Sequence, residues 1–194
     1  MPDIGLQTQV KRHFEFLILE RGYRRTKSTP YSVRFESSTT FIQLAFDGNL
    51  SYELGLAVGK LSSESSGIPA FSIADILRLR QAPEAKQLSA IQATSTGVLA
   101  SFVQQLAQAL RTYGEDFIEG NEKSFAELSE QRDAECKAFA LESVLRRARA
   151  NAEAAWKKKE YAAVVNTLKP LRSALTATEA AKLEFAEKQV ARES

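Results

Sequence analysis

The stretch Phe41-Ile42-Gln43-Leu44-Ala45-Phe46-Asp47-Gly48-Asn49-Leu50-Ser51-Tyr52-Glu53-Leu54-Gly55-Leu56-Ala57-Val58-Gly59 decides the fold. Ile42, Leu44 and Phe46 alternate with Phe41, Gln43 and Ala45, and Tyr52, Leu54, Leu56 and Val58 alternate with Glu53, Gly55, Ala57 and Gly59. A period of two sends neighbouring side chains to opposite faces, so each run predicts a strand with one buried face. Asp47-Gly48-Asn49 joins the two runs, and because Gly and Asn accept the positive φ of a tight turn, the pair reads as an antiparallel hairpin. Upstream, Val33 and Phe35 alternate with Arg34 and Glu36, and the short link through Ser37-Ser38-Thr39-Thr40 makes this run the next antiparallel neighbour. Tyr23–Ser28 is a fourth candidate strand.

Outward from this meander the period changes. Leu6, Val10, Phe14, Leu17 and Ile18 fall on one helical arc, which predicts an amphipathic helix over 6–20 ending near Gly22, with His13 inside the arc. After the strands, 61–69 is a Ser/Gly/Pro loop, and Ser72-x-x-Asp75 carries the reciprocal caps of a short helix reaching Leu79. A connector broken by Pro83 leads to a helix over 94–113, marked by Val98, Phe102, Leu106 and Leu110 and stopped by Gly114. Gly55, Ala57 and Gly59 give the last strand a smooth face on which that helix can approach. The expected class is α+β: an N-terminal helix, a three- to four-stranded antiparallel meander and closing helices, over 1–120.

A second unit is expected over 121–194. Phe117, Ile118, Phe125 and Leu128 stand among acidic residues and read as short docked helices, with Ser124-x-x-Glu127 as a capping box. No glycine follows Gly120, and the alanine-rich remainder is patterned as three helical pieces, the last capped by Thr176-x-x-Glu179. Trp156 is expected inside, in the space left by Ala148, Ala152 and Ala155, with Lys157, Lys158 and Lys159 at the negative end of the helix dipole.

Composition limits the chemistry. With 44% hydrophobic and 26% charged residues the chain has ordinary globular content, and its 194 residues can bury a core without disulfides. One Cys and one His exclude a Cys/His zinc site or a disulfide, so no cofactor and no catalytic set is expected. The Met1-Pro2-Asp3 start lacks a basic n-region and no apolar run spans a bilayer, which predicts a cytoplasmic chain away from the membrane. His13 reads as a boundary packing residue, Cys136 as packing, and Glu115, Asp116 and Glu119 as a solvated acidic face.

The segments Phe16-Leu-x-x-Glu20-x-Gly22-Tyr23, Val33-Arg-Phe-Glu36-Ser37, Ser51-Tyr-Glu53-Leu-x-Leu-x-Val58-Gly59, Phe71-Ser-Ile-Ala-Asp75-Ile-Leu and Tyr113-Gly-Glu-Asp-Phe117 together resemble small bacterial α+β proteins, several of which resemble the immunity proteins encoded beside secreted toxins. The resemblance spans about 10–120 and implies a fold and a setting, with no functional residue. Ala154-Ala-Trp156-Lys-Lys-Lys-Glu-Tyr161-Ala-Ala-Val164 resembles the helix-turn-helix core of a tetratricopeptide unit, without its first-helix glycine.

The net charge of +2 is distributed in blocks. Arg21, Arg24, Arg25 and Lys27 cluster beside Tyr23 and Tyr31, a composition suited to an acidic partner protein or to phosphates with base stacking. The expected function is therefore non-enzymatic protein binding through these four cations, the immunity setting included. The alternative is nucleic-acid association through 21–27 and the basic stretch 146–159, and the C-terminal helices also offer a homodimer surface.

Overall fold

The computed structural model describes residues 5–62 and 70–193, so most of the loop expected over 61–69 lies outside the described residues. The chain is α+β. Helix α1 (Leu6–Leu19) leads into strands β1 (Arg24–Thr29), β2 (Ser32–Glu36), β3 (Thr40–Phe46) and β4 (Glu53–Lys60), an antiparallel meander in sequence order. The fourth candidate strand is thus real, as edge strand β1. Two short strands flank β4: β5 (Phe71–Ser72) and β6 (Ile91–Gln92). Helices α2 (Ile73–Leu79), α3 (Thr96–Tyr113) and α4 (Glu115–Ile118) follow. Then come α5 (Glu122–Lys157), α6 (Tyr161–Leu168), a 3-10 segment (Lys169–Ala174) and α7 (Ala177–Glu193).

Register converts the sequence alternation into a one-sided core. Val33 faces Leu44 and Phe35 faces Ile42 across β2 and β3, while Leu44 faces Leu56 and Ile42 faces Val58 across β3 and β4. All six are buried, together with Leu6, Val10, Phe14 and Leu17 of α1 and Leu99, Val103, Leu106 and Leu110 of α3. At ~25 cal/mol per Å2 of apolar surface, each such side chain contributes roughly 1.5–3 kcal/mol, so this layer dominates folding. Along α1, Phe16 is buried where Ile18 was expected, because its ring stacks on Phe14 at a centroid distance of 6.1 Å. The small residues of β4 do not receive α3. Gly55 lies on the opposite face under open space, and Gly59 lies beneath the Phe41 ring, which a Cβ there would approach to 2.6 Å.

Local signals succeed where side chains can close on backbone. Ser72 and Asp75 form the expected reciprocal box, and so do Thr176 and Glu179. At the start of α5 the cap is instead Asn121, whose Oδ1 accepts the Ser124 N–H, while the Ser124 hydroxyl donates to Asp116. The β3–β4 link is likewise longer than a two-residue turn. The Asp47 carboxylate accepts the N–H groups of Asn49, Leu50 and Ser51, and the positive φ falls on Tyr52.

Contacts divide the chain into two compact units, the first ending at Arg132 and the second beginning at Asp133. The first unit extends beyond the glycine at 120 because the opening turns of α5 dock within it. Phe125 meets Phe117 edge-on at 5.2 Å and Phe71 at 6.2 Å, and Arg132 donates to the Ala70 carbonyl at 2.9 Å with its guanidinium 3.8 Å over Phe71. The second unit packs Ala152, Ala155, Val164, Leu168, Leu183 and Ala186 into its own small core. The expected separate helical pieces before Trp156 are one continuous 36-residue helix, α5, since nothing in that glycine-free sequence stops it.

Two outcomes test this layer. Tyr23 is buried at 2% exposure, and its hydroxyl shares a hydrogen bond with Thr40 Oγ1 at 2.6 Å and donates to the Ile118 carbonyl at 2.7 Å. Tyr23→Phe leaves that carbonyl without its phenol, and chemical denaturation is expected to read a loss of about 1–3 kcal/mol. The Asp47 carboxyl is held down to about 2 from 3.8 by the amides of Asn49 and Ser51, the Ser51 hydroxyl and the Leu50 amide. A folded pKa below the unfolded one stabilises the fold above the unfolded value and is lost as pH falls through the folded value. The thermal midpoint should therefore fall between about pH 4 and pH 2, and Asp47→Asn should flatten that part of the profile.

Candidate basic edge

The four cations singled out by sequence do not act together. Arg21 follows α1 and is held by two carboxylates of the α4 segment, Glu115 at 2.6 Å and Glu119 at 3.2 Å. The supposed solvated acidic face is therefore half of an ion-pair network, completed by Asp116 on Arg80. Arg24, Arg25 and Lys27 remain together on β1. All three are exposed and make no ion pair among the described residues.

A β-bulge orders these three. Arg24 pairs with Glu36 and Arg25 with Phe35, but the register shifts between Arg25 and Lys27, so that Lys27 stands across from Arg34. Without the extra residue Lys27 would share the face of Arg25 and Phe35; with it, Lys27 joins Arg24 and Arg34 on the face away from the α1–α3 core. Arg34 is fixed there, its Nε donating to Glu36 at 2.6 Å and its guanidinium lying 3.9 Å over the Phe41 ring. Lys27 thus faces a like charge directly across the strand pair, an arrangement that weakens a sheet. Sequence reading missed this, because a bulge leaves no signature in hydrophobic alternation.

The two tyrosines near the cluster differ in exposure. Tyr23 is buried, with its pKa raised by burial, and Tyr31, in the β1–β2 turn, is exposed. The basic stretch 146–159 is also partly neutralised: Arg149 is bound to Glu179 at 2.7 Å and Lys157 lies 3.9 Å from Glu153. Searches of family models, curated proteins and solved structures find no match to this chain.

The remaining candidates fall elsewhere. His13 is half-buried, and its pKa is lowered by that burial and by the neighbouring Arg12 charge. Cys136, expected to pack, is exposed on α5, because this part of the helix has no covering element within its own unit. Trp156 is only partly buried. Its ring meets Tyr161 at 5.8 Å and Phe185 at 5.5 Å, and it lines a cleft of about 380 Å3 with Val164 and Leu168, rimmed by the Arg149–Glu179 and Lys182–Glu153 ion pairs. Among the described residues no three His, Cys, Asp or Glu side chains converge on a metal position, and no helix is long and apolar enough to cross a membrane.

The Lys27–Arg34 opposition has a measurable cost. Lys27→Glu places an acid across from Arg34, and the melting midpoint should rise by an amount equivalent to roughly 0.2–0.5 kcal/mol, an increment that 1 M salt removes.

Proposed function

We propose that the chain is a non-enzymatic, cytoplasmic protein-binding module whose β1 edge receives an acidic surface of another protein, in the manner of an immunity protein and its toxin. The observation that supports this reading is the exposure of Arg24, Arg25 and Lys27 together on one edge strand, with the bulge setting Lys27 across from Arg34. Three arginines of the same unit are engaged by carboxylates: Arg21 by Glu115, Arg80 by Asp116, Arg111 by Glu20. Those on β1 are free to raise the association rate of an acidic partner. Strand β1 is also one edge of the sheet, so a partner backbone can add to it while the cations engage flanking carboxylates. The toxin setting rests on the resemblance of the N-terminal segments.

The test begins with capture of a partner on the immobilised full chain, followed by binding kinetics with the purified partner. Reversing Arg24, Arg25 and Lys27 to Glu should lower the association rate at least about ten-fold and erase its salt dependence, with a single cooperative melting transition retained. Unchanged kinetics in the reversed variant would remove β1 from the interface. Retention of a 30-nucleotide RNA near 0.15 M salt, lost in the same variant, would favour the nucleic-acid reading instead.

A further inference from the structure

Helix α5 contains an unusual interval. Every residue from 133 to 144 is exposed, including Phe139 at 73%, Leu141 at 46% and Val144 at 52%. Around the helix, Asp133, Cys136, Ala140, Ser143, Arg147 and Ala150 recur at spacings of three and four and form one seam, with Phe139 and Val144 on its flanks. Small side chains at the middle of the seam allow another helix to approach closely, and the flanking apolar residues would cover the contact.

The charges along α5 say which helix fits. Its first half carries Glu122, Glu127, Glu130, Asp133 and Glu135 against Lys123, Arg132 and Lys137; its second half carries Arg146, Arg147, Arg149 and Lys157 against Glu142 and Glu153. The helix dipole favours this sense only within the first and last turns. Asp133 and Arg147 lie about three turns inside either end, beyond its reach. An antiparallel copy of the same helix, by contrast, sets acid against base in both halves at once, as a two-fold axis requires. With the axis between Ala140 and Ser143, Asp133 of each chain comes within reach of the long Arg147 side chain of the other, and Phe139 lies beside Arg146.

We infer that this seam pairs two copies of the chain, antiparallel, through the middle of α5. The surface is distinct from the β1 edge, and the inference does not depend on the function proposed for that edge.

Sedimentation equilibrium on the full chain tests it. The wild type should show a concentration-dependent monomer–dimer equilibrium. Asp133→Arg and Arg147→Asp, each at an exposed position, should each weaken dimerisation at least about ten-fold, because each sets like charges against one another twice. The double variant carrying both changes should return to within about three-fold of wild type, and an equimolar mixture of the two single variants should form a heterodimer. Phe139→Lys, which sets a cation beside Arg146 of the other chain, should weaken the dimer with no loss of helicity. A wild type that remains monomeric at several hundred micromolar overturns the inference, as does a dimer indifferent to the single reversals, which is the result expected of a parallel pair or of another surface. A double variant as weak as the singles also overturns it.

Discussion

The Tyr23 hydroxyl is the constraint on which the first unit depends. It lies between Thr40 at the start of β3 and the carbonyl of Ile118 at the end of α4, and Thr40 in turn shares a 2.9 Å hydrogen bond with Ser37. Three regions distant in sequence therefore meet at one phenol, at a depth where an unpaired hydroxyl would be costly. Gly22, at φ 69°, turns the chain so that the Tyr23 N–H closes on Leu17 and the ring enters the core. Gly120, at φ 76°, passes so near Thr39 that an added Cβ would stand 2.9 Å from its hydroxyl. Both glycines serve the same junction, and from it α5 starts in a fixed direction.

Much of this architecture can be read from sequence because period and burial coincide. The runs at 33–36, 41–46 and 52–58 bury one face each, and any slip in register would expose Val33, Ile42 or Leu56. The capping boxes at Ser72 and Thr176 are legible for a similar reason, since donor and acceptor lie three residues apart. The link at 47–52 was misread because its dipeptide suggests a tight turn, whereas the Asp47 carboxylate gathers three backbone amides and holds a wider loop. What escaped reading is nonlocal: the partnership of Arg21 with Glu115 across 94 positions, the ring of Phe41 over Gly59, and the bulge that turns Lys27 outward.

The candidate edge follows from how charge is distributed over the fold. The basic block after α1 looks uniform in sequence, yet the sheet divides it. Arg21 falls where α4 brings two carboxylates and becomes structural; Arg24, Arg25 and Lys27 fall on an edge strand, with no strand on its outer side. An edge strand must resist unwanted pairing, and cations with a bulge are a common means of doing so. That protective role explains why β1 is polar. It does not explain why a cation rather than an acid at 27 is turned toward Arg34, whose guanidinium already has Glu36 as its partner.

Helix α5 shows a related separation between what forms an element and what the element presents. Its mean amphipathicity is weak because its apolar face changes along its length: Phe125 and Leu128 serve the first core, and Ala152 and Ala155 the second. Each face alone reads as a short helix, which is why a sequence scan divides the region into pieces. Backbone propensity does not recognise those divisions. The interval between the two cores is rich in Ala, Glu, Leu and Arg, and each residue adds a hydrogen bond to a helix already nucleated at Asn121, so the turns continue through 133–144 without tertiary support. Propensity accounts for the helix but not for Phe139 on its surface, and a residue of that size exposed on an interval stable without it is where selection for a contact outside the monomer would leave its mark.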